Sequence, residues 1–136
     1  MDPSRPHWSL VGAKLLNPGV RVLVPMRNPL FCAMSLMGKV GHRVNLAGHA
    51  SFWRFYHDSW TSIQTSLVAL ALPYQVVQYE QMVLYPKETW RRVFSFCGIK
   101  TENTPEVFDG NRKYLEEPKK HLDRLLENCQ KHGVLL

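Results

Sequence analysis

Apolar residues along the chain form two kinds of pattern, which together predict two short strands and several helices. The run from Val20 to Val24 is short and mainly apolar, as is typical of a parallel strand covered on both faces. A second run of this kind, Gln75–Tyr79, directly follows the longest helical pattern. Two strands separated by helices favour a crossover connection and therefore a parallel sheet.

Helical periodicity is clearest between Ser51, which can cap a helix, and Pro73, which ends it. The apolar residues between them recur at steps of three and four, which indicates one buried helix face. They are Trp53, Tyr56, Trp60, Ile63, Leu67 and Leu70. We interpret most of them as core residues rather than ligands.

Proline and glycine set the bounds of the later helices. Pro86 and Pro118 fit the first position of a helix, where a missing N–H costs nothing, and Gly98 and Gly133 fit the position just past the end. The last helix is expected to bury four residues, namely Leu122, Leu125, Leu126 and Cys129. The remaining segments are a short helical turn over Val11–Leu16 and a polar, irregular stretch over Lys100–Glu117.

The junction between the first strand and the next helix is the stretch for which chemistry can be predicted. The strand stops at Arg27, Asn28 is a good N-cap, and a helix is predicted from Pro29 to about Met37. Open α/β sheets bind ligands where strands feed helix N-termini, since the helix end offers free N–H groups and a positive dipole. With the charge of Arg27 added, this junction is predicted to hold an anion.

Pro25 leaves two alternatives for the first strand. Proline cannot donate to a sheet ladder and prefers an extended residue before it. Either the ladder ends at Val24, or the strand lies at an edge of the sheet.

Composition favours a packed domain with an anionic partner. The chain has 136 residues, 45% of them hydrophobic, and a formal net charge of +6. A nucleotide, a sulfated or phosphorylated molecule, or nucleic acid would suit that charge. The basic residues are dispersed and form no nucleic-acid motif, so we do not expect nucleic acid as the partner.

Cysteine and histidine usage predicts neither a metal site nor a disulfide framework. The three cysteines form no Cys-x-x-Cys pair, and the six histidines have no ligand spacing. No apolar run approaches the ~20 residues of a membrane span, so none is expected.

Two motifs carry a resemblance to a known family. Arg27-Asn28-Pro29, with Ser35 eight residues after the arginine, resembles the 3′-phosphate-binding motif of sulfotransferases that use 3′-phosphoadenosine-5′-phosphosulfate (PAPS). Tyr79-Glu80 after a valine-rich strand is similar to the Tyr-Glu signature of that family, and the helix opened by Pro86 is similar to its continuation. The resemblance covers roughly residues 20–99 and fits the carbohydrate-type or bacterial-type branch.

The resemblance implies a nucleotide cofactor and a set of residues that bind it. PAPS would be the sulfuryl donor, without a metal, and the acceptor would be a hydroxyl- or amine-bearing molecule, with a carbohydrate as one candidate. Arg27 and Ser35 would hold the 3′-phosphate, and Tyr79 would face the adenosine. Arg112 and Lys113 are the candidates for the basic pair of a late loop, although Tyr114 stands where the family often has glycine.

The resemblance also implies a catalytic base. Cytosolic members place a histidine some twenty residues ahead of the motif arginine, and His7 lies twenty residues before Arg27. The plain alternative is an exposed histidine near a chain terminus.

The other site residues have structural alternatives too. Arg27 could form a salt bridge with Glu80, which we interpret as a structural partner rather than a catalyst. Ser35 taken alone fits a solvated helix serine. Tyr79 fits a strand-end aromatic, and Arg112 with Lys113 fits a solvated basic turn.

The family's Gly-rich loop for the 5′-phosphosulfate has no counterpart in the sequence. Gly12-Ala13-Lys14 lacks a preceding strand, and no Gly-x-x-x-x-Gly-Lys-Ser/Thr pattern occurs. The predicted fold class is therefore α/β, a truncated P-loop-like sulfotransferase fold with a short parallel sheet flanked by helices. Its N-terminal strand and phosphosulfate loop are expected to be missing.

Residues 1–136 are accordingly predicted to be a single partial sulfotransferase domain. It comprises an irregular segment over 1–19, the best-matching core over 20–99, and a C-terminal loop and helix over 100–136. We expect little or no sulfuryl transfer from this chain alone, as for a fragment or a degenerate member. Its location is open: cytoplasmic if the chain is complete, Golgi if it belongs to an anchored enzyme. The alternative function is a non-catalytic basic module that binds an anion or nucleic acid.

Overall fold

The computed structural model of the protein describes residues 8–37 and 51–135, which form a mixed α/β structure. The helices in this part of the chain are α1 (Trp8–Leu16), α2 (Pro29–Met37), α3 (Phe52–Ala69), α4 (Tyr79–Leu84), α5 (Pro86–Cys97), α6 (Arg112–Glu116) and α7 (Pro118–His132). The strands are β1 (Val22–Met26) and β2 (Tyr74–Gln78).

The two strands pair in parallel, as the sequence predicts. The register runs from Val22 opposite Tyr74 to Met26 opposite Gln78. Both strands lie one or two residues away from their predicted bounds, and the prediction that Tyr79 ends β2 is wrong, because Tyr79 opens α4.

Pro25 lies inside the β1 ladder, opposite Val77. The Val22 N–H donates to the Pro73 carbonyl at 2.9 Å. Because backbone direction alternates along a strand, the nitrogen of Pro25 points away from β2, so no ladder bond is lost. Among the described residues the sheet has only these two strands. Of the two alternatives, the edge strand is confirmed.

Two apolar clusters hold the elements together, and α3 contributes to both. One cluster combines Ala33 of α2 and Leu125 of α7 with Phe52 at the start of α3. The other packs Val24 of β1 against Leu67 near the end of α3. The predicted buried face of α3 is confirmed in part: Leu67 is fully buried, whereas Trp53, in the first turn, is 37% exposed.

Five of the predicted helix ends are confirmed, whereas α3 ends at Ala69 and not at Pro73. The Ser51 hydroxyl accepts a hydrogen bond from the Arg54 N–H at 3.4 Å and caps α3. Pro86 and Pro118 are the first residues of α5 and α7. The glycines that follow these two helices adopt the left-handed conformation, Gly98 at a φ of 72° and Gly133 at a φ of 65°.

Three expectations for the outer helices need correction. Leu122 and Leu126 are 40% and 49% exposed, because the buried stripe of α7 is centred on Leu125 and Cys129 and the other two leucines lie at its rim. The segment expected to be irregular contains the short helix α6, anchored by the buried ring of Tyr114. The N-terminal helical turn begins earlier, at Trp8. Within residues 8–37 and 51–135, no helix is long and apolar enough to cross a membrane.

Candidate anion-binding site

The residues of both sequence motifs meet at one edge of the sheet. Arg27 directly follows β1, and Tyr79 and Glu80 directly follow β2. Because the strands are parallel and in register, their carboxyl ends lie side by side. This edge is where open α/β sheets bind ligands.

Protein groups already pair with part of the N-terminus of α2. The Asn28 side chain accepts the Leu30 N–H at 2.9 Å, and the Asn28 N–H donates to Glu80 Oε1 at 2.8 Å. Pro29 has no N–H to offer. A carboxylate of the chain therefore already lies at this helix end, and Arg27 is the group with charge to offer an anion.

The guanidinium of Arg27 is half-buried and oriented by two acceptors. Its Nε donates to Asn111 Oδ1 at 2.7 Å, and its Nη2 donates to the Gly110 carbonyl at 3.1 Å. The guanidinium carbon also lies 5.3 Å from the ring centroid of Tyr79 and 5.9 Å from that of Tyr114. Arginine has five N–H donors, so these two bonds leave donors on the Nη1 side of the group.

Asn111 links Arg27 to Glu80. Its side chain is buried, and its Nδ2 donates to Glu80 Oε1 at 3.0 Å. Arg27 and Glu80 are thus connected through an amide rather than by the direct salt bridge considered from the sequence. Glu80 accepts hydrogen bonds from both Asn28 and Asn111.

The backbone carbonyl of Arg27 accepts hydrogen bonds from two neutral side chains. Tyr56 Oη donates to the Arg27 carbonyl at 3.2 Å, and Cys32 Sγ donates to the same oxygen at 3.7 Å. Burial raises the pKa of the Cys32 thiol; Arg27 opposes this shift and Glu80 adds to it. Burial is also the main cause that raises the pKa of Tyr56, with Cys32 and Glu80 adding to it. Both groups therefore stay protonated donors at neutral pH.

The loop that supplies these acceptors, residues 108–111, is fastened to Tyr79. The Tyr79 hydroxyl donates to the Phe108 carbonyl at 2.5 Å and accepts the Gly110 N–H at 2.6 Å. A net contribution of about 0.5–1.5 kcal/mol per hydrogen bond means that displacing the loop, with its bonds to Arg27 and Glu80, would cost several kcal/mol. The loop is accordingly a fixed part of the site.

Gly110 allows this close approach. A Cβ at this position would lie 3.0 Å from Tyr79 Oη and 3.8 Å from Arg27 Nη2. The absence of a side chain is what lets the loop backbone reach both residues.

The remaining predicted residues surround this centre at different distances. Ser35 is half-buried on α2, one turn beyond Phe31 on the same face, and the Phe31 ring stacks on Tyr114 at 5.9 Å. Lys113 Nζ lies 4.9 Å from the Tyr114 centroid, so Lys113 and Arg27 both lie near the same ring.

Arg112 pairs with a carboxylate of its own helix rather than with the site around Arg27. Arg112 Nε donates to Glu116 Oε1 at 2.7 Å on the exposed side of α6, and this hydrogen bond raises the pKa of Arg112. His7 lies outside the described residues.

An open depression lies toward the opposite end of the sheet. It has a volume of about 620 Å³ and is lined by residues of α5 and the segment after it, among them Arg91, Phe94 and Thr101. Arg91 also lines a neighbouring depression with Gln75, near the start of β2. Neither of these depressions is lined by Arg27 or Tyr79. In the described part of the chain, no three His, Cys, Asp or Glu side chains are placed to hold a metal ion.

Sequence reasoning did not single out Gly110 and Asn111. Their signal was the turn-forming run Asp109-Gly110-Asn111 immediately before the basic pair. That run indicates a turn, but its contact partners are set by the fold.

No family model matches the chain, and neither a curated protein nor a solved structure is detectably similar to it. The interpretation of the site therefore depends on its geometry and on the motifs in the sequence.

Proposed function

We propose that the chain belongs to the PAPS-dependent sulfotransferases and binds this nucleotide through its 3′-phosphate at Arg27. In the intact enzyme, the sulfuryl group would pass to a hydroxyl or amine acceptor. The two-stranded sheet would then be the C-terminal part of the truncated P-loop-like fold predicted from the sequence. The observation that carries the proposal is the guanidinium of Arg27, which is oriented at the carboxyl edge of a parallel sheet beside Tyr79.

Each residue of the proposed site has a distinct role. One N–H of Nη1 and the second N–H of Nη2 would pair with two phosphate oxygens, a planar contact that lysine does not reproduce. Ser35 would add a hydroxyl about 9 Å along α2 from Pro29. The Tyr79 ring would face the adenosine. Lys113, which lies near the Tyr114 ring, would add positive charge beside the site.

The part of the reaction that this site supports is recognition of the nucleotide. Transfer of a sulfuryl group requires positive charge and oriented N–H groups at the sulfate oxygens as the bond breaks. PAPS, when bound, supplies the activated sulfuryl group. Arg27 and Ser35 bind the 3′ end of the cofactor and therefore orient it without touching the reacting bond.

The alternative, a basic module for nucleic acid, is less well supported by the C-terminal helices. Three of their basic residues pair with nearby carboxylates on the same helix or at its N-cap. The pairs are Arg112–Glu116, Lys119–Asp123 and Lys120–Glu117. Charges that are paired within a helix surface are less available to phosphate groups along a duplex.

The test is a calorimetric titration with adenosine 3′,5′-bisphosphate and, in parallel, with adenosine 5′-phosphate. We expect Arg27→Ala to weaken binding of the bisphosphate by about 10- to 150-fold, the equivalent of a charge-assisted hydrogen bond of about 1.5–3 kcal/mol. Binding of the monophosphate should change little, because it lacks the 3′ group. Arg27→Lys should recover only part of the affinity.

Arg124→Ala is the matched control, since Arg124 is exposed on α7 and its loss changes net charge equally. The proposal would be overturned if the bisphosphate did not bind saturably while DNA bound strongly and with a steep salt dependence.

A further inference from the structure

We propose that Asn111 is a positioning residue that fixes the guanidinium plane of Arg27 for the 3′-phosphate. The inference rests on the proposed function and adds to it a residue that would touch no nucleotide. It starts from the buried amide that lies between a cation and a carboxylate.

The amide of Asn111 can have only one orientation in this setting. Its Oδ1 faces the Arg27 Nε–H at 2.7 Å, and its Nδ2 faces Glu80 Oε1 at 3.0 Å. The reversed amide would place a donor against a donor and an oxygen against a carboxylate. Glu80 is itself fixed by the Asn28 N–H at 2.8 Å, so the orientation is transmitted from the start of α2 to Arg27.

Among residues 8–37 and 51–135, the hydrogen-bond acceptors of the guanidinium lie on its Nε and Nη2 side. Asn111 Oδ1 and the Gly110 carbonyl take the Nε and Nη2 donors, while the rings of Tyr79 and Tyr114 lie against the group. This arrangement defines the plane of the guanidinium and leaves the Nη1 side for a ligand. A planar, bidentate contact with phosphate depends on that plane.

Position 111 requires a short side chain that accepts a hydrogen bond from Arg27 and donates one to Glu80, and asparagine does both. Aspartate at position 111 would keep the acceptor for Arg27 but would face Glu80 with a second carboxylate. Leucine has a similar volume but neither polar function. These two substitutions therefore separate loss of the donor from loss of the whole contact.

The competing possibility is that Asn111 and Gly110 occupy the phosphate position and must be displaced. In that case, removing the Asn111 amide would tighten nucleotide binding. Positioning makes the opposite prediction, so one substitution distinguishes the two.

The experiment compares wild type, Arg27→Ala, Asn111→Leu and the double variant, each titrated with adenosine 3′,5′-bisphosphate and adenosine 5′-phosphate. We expect Asn111→Leu to weaken bisphosphate binding about tenfold, the scale of one hydrogen bond to a charged group, and to leave the monophosphate unchanged. In the Arg27→Ala background, Asn111→Leu should have no further effect on binding, because the group it positions is gone.

Two further variants control for folding and for charge. Asn103→Leu, on an exposed segment, makes the same chemical change away from the site and should bind like wild type. Asn111→Asp should weaken bisphosphate binding, and Glu80→Gln in the same chain should recover part of the loss by removing the facing charge. This recovery is a readout that general destabilisation would not produce.

The outcomes separate the two levels of the proposal. If the wild type binds no bisphosphate, the proposed function fails and the positioning role fails with it. If Arg27→Ala behaves as expected, three results would each overturn the role of Asn111 alone. These are unchanged binding in Asn111→Leu, tighter binding in that variant, or an equal loss for both nucleotides.

Discussion

At the scale of single residues, the candidate site depends on how closely backbone and side chains approach one another. The Gly110 N–H and the Tyr79 hydroxyl are 2.6 Å apart, and the same hydroxyl binds the Phe108 carbonyl. This leaves Tyr79 little freedom to move away. A small change at Gly110 should therefore weaken the hydrogen bonds that fasten the loop to Tyr79.

We predict that Gly110→Ala lowers the free energy of unfolding by about 1 kcal/mol, because the new Cβ, 3.0 Å from Tyr79 Oη, would weaken one or two hydrogen bonds. Gly12→Ala is the matched control. Gly12 lies inside α1 with open space around it, so alanine should stabilise the chain by about 0.5–1 kcal/mol. Urea denaturation measures both, and equal effects of the two substitutions would contradict the close approach.

At the scale of elements, α7 packs on α2 through a narrow stripe. Leu125 is almost fully buried in the cluster that contains Ala33 and Phe52, whereas the neighbouring Leu126 is half-exposed. The two leucines are adjacent in sequence and point about 100° apart around the helix. The same leucine-to-alanine substitution at the two positions therefore compares a buried site with an exposed one.

We predict that Leu125→Ala lowers the free energy of unfolding by about 2–5 kcal/mol, through lost burial and the cavity left behind. Leu126→Ala should cost less than about 1 kcal/mol, since alanine is also a good helix former and the site is open to solvent. Chemical denaturation monitored by circular dichroism compares them. Similar losses would mean that α7 is rotated relative to the structure described above.

At the scale of the whole molecule, stability should depend on alkaline pH. Burial raises the pKa of the Cys32 and Cys129 thiols in the folded chain. The thiolate is then less favourable in the folded than in the unfolded state. The stabilisation is complete below the ordinary thiol pKa of about 8.5 and is lost as pH rises through the higher folded-state pKa. Tyr56, whose pKa is also raised, acts in the same direction at higher pH.

We predict that the free energy of unfolding falls between pH 8 and pH 10, and that Cys32→Ala combined with Cys129→Ala makes this fall smaller. Cys97→Ala, at an exposed position, is the control for removing a thiol and should leave the pH dependence as in wild type. Urea midpoints at several pH values provide the measurement. A fall that is equally large in the double variant would assign it to other groups.

How much of this structure the sequence predicts depends on whether the determinant is local. The ends of α5 and α7 follow from Pro86, Gly98, Pro118 and Gly133, because proline and glycine act through their own backbone geometry. The exposure of Leu126 was missed, since the apolar pattern of a helix does not show where the helix that packs against it lies. The contacts of Asn111 were missed for the same reason, as its partners Arg27 and Glu80 are far away in the chain.

That separation along the chain has a consequence for how the protein folds. The bond from Arg27 to Asn111 spans 84 residues, and the bond from Asn28 to Glu80 spans 52. Contacts of such high order carry a large loop-closure entropy and form after local helices and turns. Arg27 would gain its orientation only late in folding, when the C-terminal third of the chain docks. A chain that ended before the loop 108–111 could retain the strand and helix around Arg27 but would have neither of its two acceptors.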